Sequence, residues 1–284
     1  MRGIALIIGA TALFSISDAI SKILGQRLPA IEISVLRYVV FVVMAGLLCV
    51  QTGAHPLRVH SWKQQVLRGV GLVVSALCFI EALRHLPLAD AASVGFISPM
   101  LITALSVPML GEVVGIRRWS ALFVGLIGVL IVMRPGTGAF RPEALWVIAS
   151  SSSWAFASVL TRQMSATMDT ASTLMWSSVT GLLIALVLLP FAYVEPNWGE
   201  VWLCVALGVF ASSGQYLMVL AYRWAGATTL APFSYIQLAW STSLGYFIWG
   251  TLPDHWTWIG TAFIVASGIY TVHRERVRAR SANP

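Results

Sequence analysis

Ten apolar runs, each about the length that crosses a lipid bilayer, dominate this sequence and decide what it can fold into. A membrane-spanning α-helix needs about 20 mostly apolar residues. We predict ten such helices, at residues 3–24, 31–51, 66–84, 88–110, 118–134, 143–164, 171–192, 200–223, 228–249 and 255–273. In a chain of 284 residues, these spans leave no room for a soluble catalytic domain. The fold class is therefore an all-α integral membrane protein.

The composition agrees with this class. Hydrophobic residues make up 58% of the chain and charged residues 10%, whereas a soluble domain carries roughly 25% charged residues. The net charge of +7 requires no nucleic acid as a partner, because the basic C-terminal stretch HRERVRAR suits anionic lipid headgroups. The expected partner is the lipid bilayer, and the expected location is a cell membrane, in bacteria the inner one.

The distribution of cations predicts the orientation. With ten spans, one side of the membrane receives 12 of the 18 lysines and arginines and the other side receives 6. Cytoplasmic loops carry the excess of such cations. Both termini are therefore expected in the cytoplasm.

The sequence also contains an internal repeat. The stretch ALRHLPLADAASVGFISPM, residues 82–100, aligns without a gap with AYRWAGATTLAPFSYIQLA, residues 221–239, and pairs Phe96 with Tyr235. The same register continues to pair Trp119 with Trp258. Because glycine and polar positions match as well as apolar ones, common ancestry explains the match better than coincidence between two apolar sequences.

The repeat predicts how the two halves cross the membrane. With one residue of slip, Asp18 in the first span aligns with Ser158 in the sixth. Each half then holds five spans, an odd number, so the halves cross in opposite senses. We predict two inverted five-helix repeats, residues 1–138 and 139–284, in one transmembrane unit. Inverted repeats are typical of alternating-access transporters, whose substrate site lies near the midplane.

Several segments resemble one known family. The run EALRHLPLADAASVGFISPMLITALSVPMLGEVV, residues 81–114, resembles the third-to-fourth-helix signature of the drug/metabolite transporter superfamily, in its EamA-type branch. WAFASVLTRQM (154–164) and WIGTAFIVASGIY (258–270) resemble the helices that open and close the second half. The resemblance covers essentially the whole chain and is strongest to bacterial amino-acid exporters of the YddG type. It implies a basket-like bundle that exports small metabolites, amino acids prominent among them.

Asp18 is an acidic residue inside the first apolar run, with Lys22 four residues later. An acid within the bilayer is costly and usually faces a polar cavity. Asp18 and Lys22 could form an ion pair along one helix face, with Lys22 reaching to the interface. Alternatively, Asp18 binds the ammonium group of a substrate, and the hydroxyls of Ser15 and Ser158 bind its carboxyl group.

Aromatic and amide side chains inside the spans are the other candidates for substrate binding. Aromatic rings would form an apolar wall for bulky or aromatic substrates, and each amide must bond either a neighbouring helix or the substrate. These candidates are Phe79, Phe96, Trp154, Gln215, Tyr216, Tyr235 and Gln237.

Prolines mark the candidate hinges. Pro99 and Pro108 are expected to interrupt the fourth helix, and Pro232 the ninth. Interrupted helices whose freed carbonyl groups face a cavity can act as gates. We therefore assign Pro99 and Pro232 to gating.

The sequence disfavours an enzyme. The histidines lie in loops or at helix ends, no HExxH or GxSxG pattern occurs, and Cys49, Cys78 and Cys204 lack metal-ligand spacing. No metal and no cofactor are expected. A channel would need a continuous polar pore, which sparse polar groups in inverted repeats fit less well.

The function expected from the sequence is therefore export of a small-molecule substrate by alternating access. Amino acids, including bulky or aromatic ones, are the first expectation. Export of cationic drugs or other toxic metabolites is the alternative, since it would use Asp18 and the aromatic residues without any group that binds a carboxylate.

Overall fold

The structure is a computed structural model, and it describes residues 2–54, 61–111, 115–135, 141–164, 169–224, 230 and 233–282. Its regular secondary structure within these ranges is helical throughout, which confirms the predicted all-α class. The α-helices are α1 (Arg2–Leu24), α2 (Ala30–Thr52), α3 (Trp62–His85), α4 (Leu88–Gly95), α5 (Ser98–Leu110), α6 (Ile116–Met133), α7 (Ala144–Met164), α8 (Thr170–Leu188), α9 (Trp198–Trp224), α10 (Ile236–Trp249) and α11 (His255–Ala282).

Seven helical segments among the described residues are long and apolar enough to cross a bilayer. They correspond to the first four predicted spans and to the sixth, seventh and eighth. The fifth span, α6, contains a shorter apolar stretch, Trp119–Met133. The ninth is described mainly as α10, and the tenth, α11, continues beyond the predicted end at residue 273 to Ala282.

The fourth predicted span, 88–110, is two helices rather than one. It breaks at Phe96, and Pro99 lies in the first turn of α5. A proline has no N–H group, so Pro99 cannot bond the carbonyl oxygen of Gly95 four residues earlier. The Ser98 hydroxyl donates to that oxygen instead, at 2.7 Å. The chain can therefore bend here without leaving the carbonyl group unpaired.

Pro108 does not interrupt the helix, so that prediction was wrong. α5 continues past it to Leu110 and ends at Gly111, whose φ of 68° is a left-handed conformation that suits glycine. Since only two residues of the helix follow Pro108, its missing N–H group removes a single hydrogen bond at an end that would fray anyway.

The helices pack in a pattern that is unchanged when the two halves are exchanged. α1 packs against α9, and its counterpart α7 packs against α3. α2 packs against α8, and α6 against α11, so each of these helices contacts its own counterpart. This is the arrangement expected of two inverted repeats.

The α6–α11 contact shows the same relationship at atomic detail. A Cβ atom on Gly128 would lie 2.7 Å from the carbonyl oxygen of Gly260, so the two backbones nearly touch. In the repeat register, the counterparts of Gly128 and Gly260 are Ser267 and Ala121. These also meet, because the Ser267 hydroxyl donates to the carbonyl oxygen of Ala121 at 2.5 Å. Small residues thus allow close approach at both ends of the crossing.

Arg68 of α3 is buried inside the bundle, with only 6% of its surface exposed. Its Nε donates to the Thr161 hydroxyl of α7 at 2.6 Å. Its Nη1 donates to the carbonyl oxygen of Thr173 at 3.3 Å and to the hydroxyl of Ser177, both on α8. One guanidinium group therefore ties three helices together.

Candidate functional site

A polar cluster lies between the two halves, where α1 packs against α10. The Ser15 hydroxyl is 3.3 Å from the Ser241 hydroxyl and donates to the carbonyl oxygen of Gln237 at 3.4 Å. Both serines are fully buried. One turn along α1, the carboxyl group of Asp18 lies within hydrogen-bonding reach of the Gln237 side chain. We call Ser15, Asp18, Gln237 and Ser241 the α1–α10 cluster.

Helical spacing explains why these residues meet. Ser15 and Asp18 are three residues apart on α1, and Gln237 and Ser241 are four apart on α10, so each pair lies on one helix face. Polar side chains inside a bilayer bond one another across helices, because nothing in lipid can replace the partner. Sequence reasoning missed Ser241, although its spacing from Gln237 was a usable signal.

Arg37 of α2 adds a positive charge beside this cluster. Its guanidinium is close enough to Asp18 to attract the carboxylate electrostatically, and it lies over the ring of Phe41 at 5.0 Å from the centroid. Arg37 is one of the six cations on the side of the membrane that carries fewer of them. Its position inside the apolar run 31–51 was a signal that it faces a polar environment.

Lys22 does not pair with Asp18. Its ammonium group donates to the carbonyl oxygens of Leu83 at 2.8 Å and Leu86 at 2.6 Å, at the C-terminal end of α3. It also lies over the ring of Trp249, 5.6 Å from the centroid. A cation at a helix C-terminus is favourable, because it satisfies unpaired carbonyl groups and opposes the helix dipole.

The aromatic candidates Phe79, Phe96 and Tyr235 pack together against one hydrophobic cluster. The rings of Phe96 and Tyr235 stack, with their centroids 4.8 Å apart. Tyr235 also fills the space beside Gly268 of α11, where a Cβ atom would collide with its hydroxyl. Since residues two apart diverge at a helix start, Tyr235 points away from the face that carries Gln237.

The remaining candidates lie on other elements. Trp154 and Ser158 are half-buried on α7, and the Ser158 hydroxyl donates to the carbonyl oxygen of Trp154 at 2.8 Å. Pro99 is exposed at the start of α5. Pro232 lies outside the described residues.

Gln215 and Tyr216 are neighbours on α9, but they have different surroundings. Gln215 is half-buried. Tyr216 is 44% exposed. It lines a cavity of about 250 Å³ between α2, α8 and α9, together with Leu48, Thr52, Ala54, Asp169, Thr170, Ala171 and Leu220. The structure therefore separates Tyr216 from the α1–α10 cluster.

The cluster is chemically suited to bind rather than to react. Asp18 can accept hydrogen bonds from a cation, and the serine and glutamine groups can donate or accept. Across the described ranges, no group of histidine, cysteine and acidic residues could hold a metal ion. The repeat counterpart of Asp18 is Ser158, so only one half contributes a carboxylate at this position.

Comparisons with known proteins place the chain among transporters. It is 26% identical over 276 residues to an S-adenosylmethionine uptake transporter of Rickettsia prowazekii, covering 97% of this chain and 94% of that protein. It is 29% identical over 269 residues to the pseudopaline exporter CntI of Pseudomonas aeruginosa, covering 94% of each. It is 25% identical over 284 residues to a riboflavin transporter of Brucella anthropi, covering 97% of this chain and all of that protein.

A solved crystal structure with 23% sequence identity superposes with a TM-score of 0.64 over 98% of both chains, which shows the same fold. The family model of the EamA-like transporter family matches twice, at residues 1–134 and 141–272. Together, the two matches span nearly the whole sequence. The chain is therefore a member of the EamA-like transporter family.

Proposed function

We propose that this protein exports small zwitterionic metabolites, foremost α-amino acids with bulky or aromatic side chains, by alternating access. Its family membership makes it a multi-pass membrane transporter of small molecules and not an enzyme. The proposal adds the substrate class, the direction, and an orientation with both termini in the cytoplasm, which rests on the distribution of cations.

The proposal rests mainly on the position of Asp18. It is an acidic residue within α1, a membrane-length helix, and it lies within hydrogen-bonding reach of Gln237 on α10, which belongs to the other half. A carboxylate at this depth is costly, so such residues usually face a polar cavity or a substrate pathway. A site shared by both halves is remodelled when they move, which is the requirement for alternating access.

The relatives support an amino-acid substrate without deciding the direction. S-adenosylmethionine, named for the Rickettsia protein, is itself an α-amino acid with a large side chain that carries a purine ring. Its ammonium group would meet Asp18 as that of a simple amino acid would. The relatives include both uptake and export proteins, so export is the part of the proposal that needs the most direct test.

Export of organic cations is the second candidate. The observation that favours it is that Lys22 does not neutralise Asp18, since the Lys22 ammonium group bonds the end of α3 instead. A cation without a carboxyl group could use Asp18 in the same way as an amino acid.

The test is a flux assay in proteoliposomes. Labelled phenylalanine, S-adenosylmethionine and tetraphenylphosphonium are loaded inside or added outside, with and without a pH gradient. We expect saturable movement of the two amino acids and strong loss of it in Asp18→Asn. Glu195→Gln is the matched control, because Glu195 is exposed in a loop. Saturable flux of tetraphenylphosphonium alone would favour the second candidate, and unchanged amino-acid flux in Asp18→Asn would refute the assignment of the site.

A further inference from the structure

One face of α2 carries two buried hydrogen-bond donors that have no partner within the described ranges. Ser34 and Arg37 are three residues apart, so their side chains lie on the same side of the helix. The hydroxyl of Ser34, which is fully buried, and the Nε of Arg37 have no hydrogen-bond acceptor among the described residues. Buried polar groups are almost always bonded, so two such donors side by side indicate a place for an acceptor that the described part of the chain does not supply.

The acceptor is not Asp18. The carboxyl group of Asp18 attracts Arg37 electrostatically, but it does not bond the Arg37 Nε, which has no acceptor among the described residues. The guanidinium of Arg37 is instead held over the ring of Phe41. Stacking on an aromatic ring leaves the edge of the guanidinium, where its N–H groups lie, available to a ligand.

We propose that Arg37 and Ser34 form a subsite for the carboxylate of the substrate, so that the binding site is dipolar. Asp18 binds the positive end of the substrate and Arg37 the negative end. A guanidinium matches a carboxylate better than any other side chain does, because its N–H groups can bond both oxygens. This inference rests on the proposed function and adds the reason why a zwitterion would be preferred over a simple amine.

A purely internal role makes a different prediction. If Arg37 only balances the charge of Asp18, its removal weakens the binding of every substrate to the same degree. The proposed subsite requires that only ligands with a carboxylate are affected. Three compounds with the same ring separate these cases, namely phenylalanine, phenethylamine without the carboxylate, and phenylpropionate without the ammonium group.

The experiment measures how each compound competes with labelled phenylalanine in proteoliposomes, and how each raises the thermal unfolding midpoint of the protein in detergent. For Arg37→Gln, we expect the binding affinities of phenylalanine and phenylpropionate to fall about 10- to 100-fold. This is the range for the loss of a hydrogen bond to a charged group. The affinity for phenethylamine should change less than about twofold. Arg37→Lys should retain part of the phenylalanine affinity, and Ser34→Ala should weaken phenylalanine by a smaller factor. Lys63→Gln, which removes an exposed cation, is the control.

Each outcome has a distinct meaning. Equal weakening of phenylalanine and phenethylamine in Arg37→Gln, with recovery in the double variant Asp18→Asn/Arg37→Gln, would overturn the subsite and leave the proposed function standing. If a folded Arg37→Gln variant binds phenylalanine as tightly as the unmodified protein does, the subsite is likewise overturned and the proposed function stands. If Arg37→Gln does not fold, a phenylalanine affinity in Arg37→Lys equal to the unmodified protein, together with an unaffected Ser34→Ala, overturns it. If none of the three compounds is bound or moved by the unmodified protein, the proposed function fails, and the subsite with it.

Discussion

Phe96 and Tyr235 stack with their ring centroids 4.8 Å apart and an interplanar angle of 29°, although 139 positions separate them in the chain. They are equivalent positions of the two repeats, and each lies at a helix break. Phe96 follows the end of α4, and Tyr235 precedes the start of α10. The two breaks therefore contact each other through these rings.

This stack should be measurable as an interaction energy. In a double-mutant cycle with Phe96→Ala and Tyr235→Ala, we expect a coupling of about 0.5–1.5 kcal/mol in the free energy of unfolding, as for other aromatic pairs. Phe247→Ala is the control, because this ring is 81% exposed. Additive effects of the two substitutions would show that the rings do not stabilise each other.

The close crossing of α6 and α11 predicts a strict requirement for glycine. In Gly128→Ala, the new Cβ atom would lie 2.7 Å from a backbone oxygen of Gly260, which cannot move away as a side chain could. We expect a loss of about 1–3 kcal/mol, measured as a lower unfolding midpoint in detergent. Gly46→Ala in α2 is the control, since no atom of the described residues lies within 4 Å of its Cβ position. Equal stability of the two variants would refute the crossing.

Asp18 and Lys22 should behave as independent residues. Lys22→Gln is expected to lower stability by about 1–2 kcal/mol, because the end of α3 loses its cation. Asp18→Asn should reduce transport with little loss of protein abundance. In the double variant, the two effects on stability should add to within about 0.5 kcal/mol. Recovery of abundance and flux in the double variant would instead show an ion pair between them.

Arg68 should be essential for folding rather than for substrate choice. Arg68→Ala removes the hydrogen bonds that join α3 to Thr161 of α7 and to Thr173 and Ser177 of α8. We expect destabilisation of about 2–5 kcal/mol, measured by denaturation or by membrane abundance. Lys63→Ala on the exposed side of α3 is the control. A stable Arg68→Ala protein with altered substrate preference would contradict this role.

Asp254, in the connection between α10 and α11, predicts a pH dependence. Partial burial alone would raise the pKa of its carboxyl group, but hydrogen bonds from Thr257 and the ion pair with Arg134 at 2.5 Å hold that pKa below its ordinary value. A lowered folded-state pKa means that the stabilisation is full above the unfolded-state pKa and is lost as the pH falls through the folded-state value. The unfolding midpoint should therefore fall less steeply on acidification in Asp254→Asn than in the unmodified protein, as followed by thermal scans. Identical pH profiles would contradict this assignment.

The helical type and the positions of most spans could be predicted from the sequence, although the fourth span is two helices and α11 extends beyond its predicted end. A backbone in lipid must satisfy its own hydrogen bonds, so an apolar run of this length has essentially one available structure. The repeat was also readable, because the polar and glycine positions that match between the halves are sparse in an apolar background. The family resemblance rested on the same segments, and the family model match supports it.

The tertiary structure decided which side chains contact one another across helices. Asp18, Ser15 and Gln237 were recognised as candidates because polar groups in apolar runs are costly, and the structure brings these three together at one interface. Lys22 is four residues from Asp18, yet it bonds the end of α3, about 60 positions away. Sequence spacing along one helix cannot reveal that a distant helix end binds Lys22 in place of Asp18.

The break of the fourth span shows the same division. Pro99 predicted the region of the break. The structure places the break at Phe96, where the carbonyl oxygen of Gly95 accepts a hydrogen bond from the Ser98 hydroxyl. Arg37 was visible in the sequence as a cation in an apolar run, but its relation to Asp18 depends on how α1 and α2 both pack against α9. Composition and periodicity determined which segments enter the membrane, because that choice depends on each segment alone. Which polar groups face each other was decided only by packing, because that depends on the relative rotation of helices far apart in the chain.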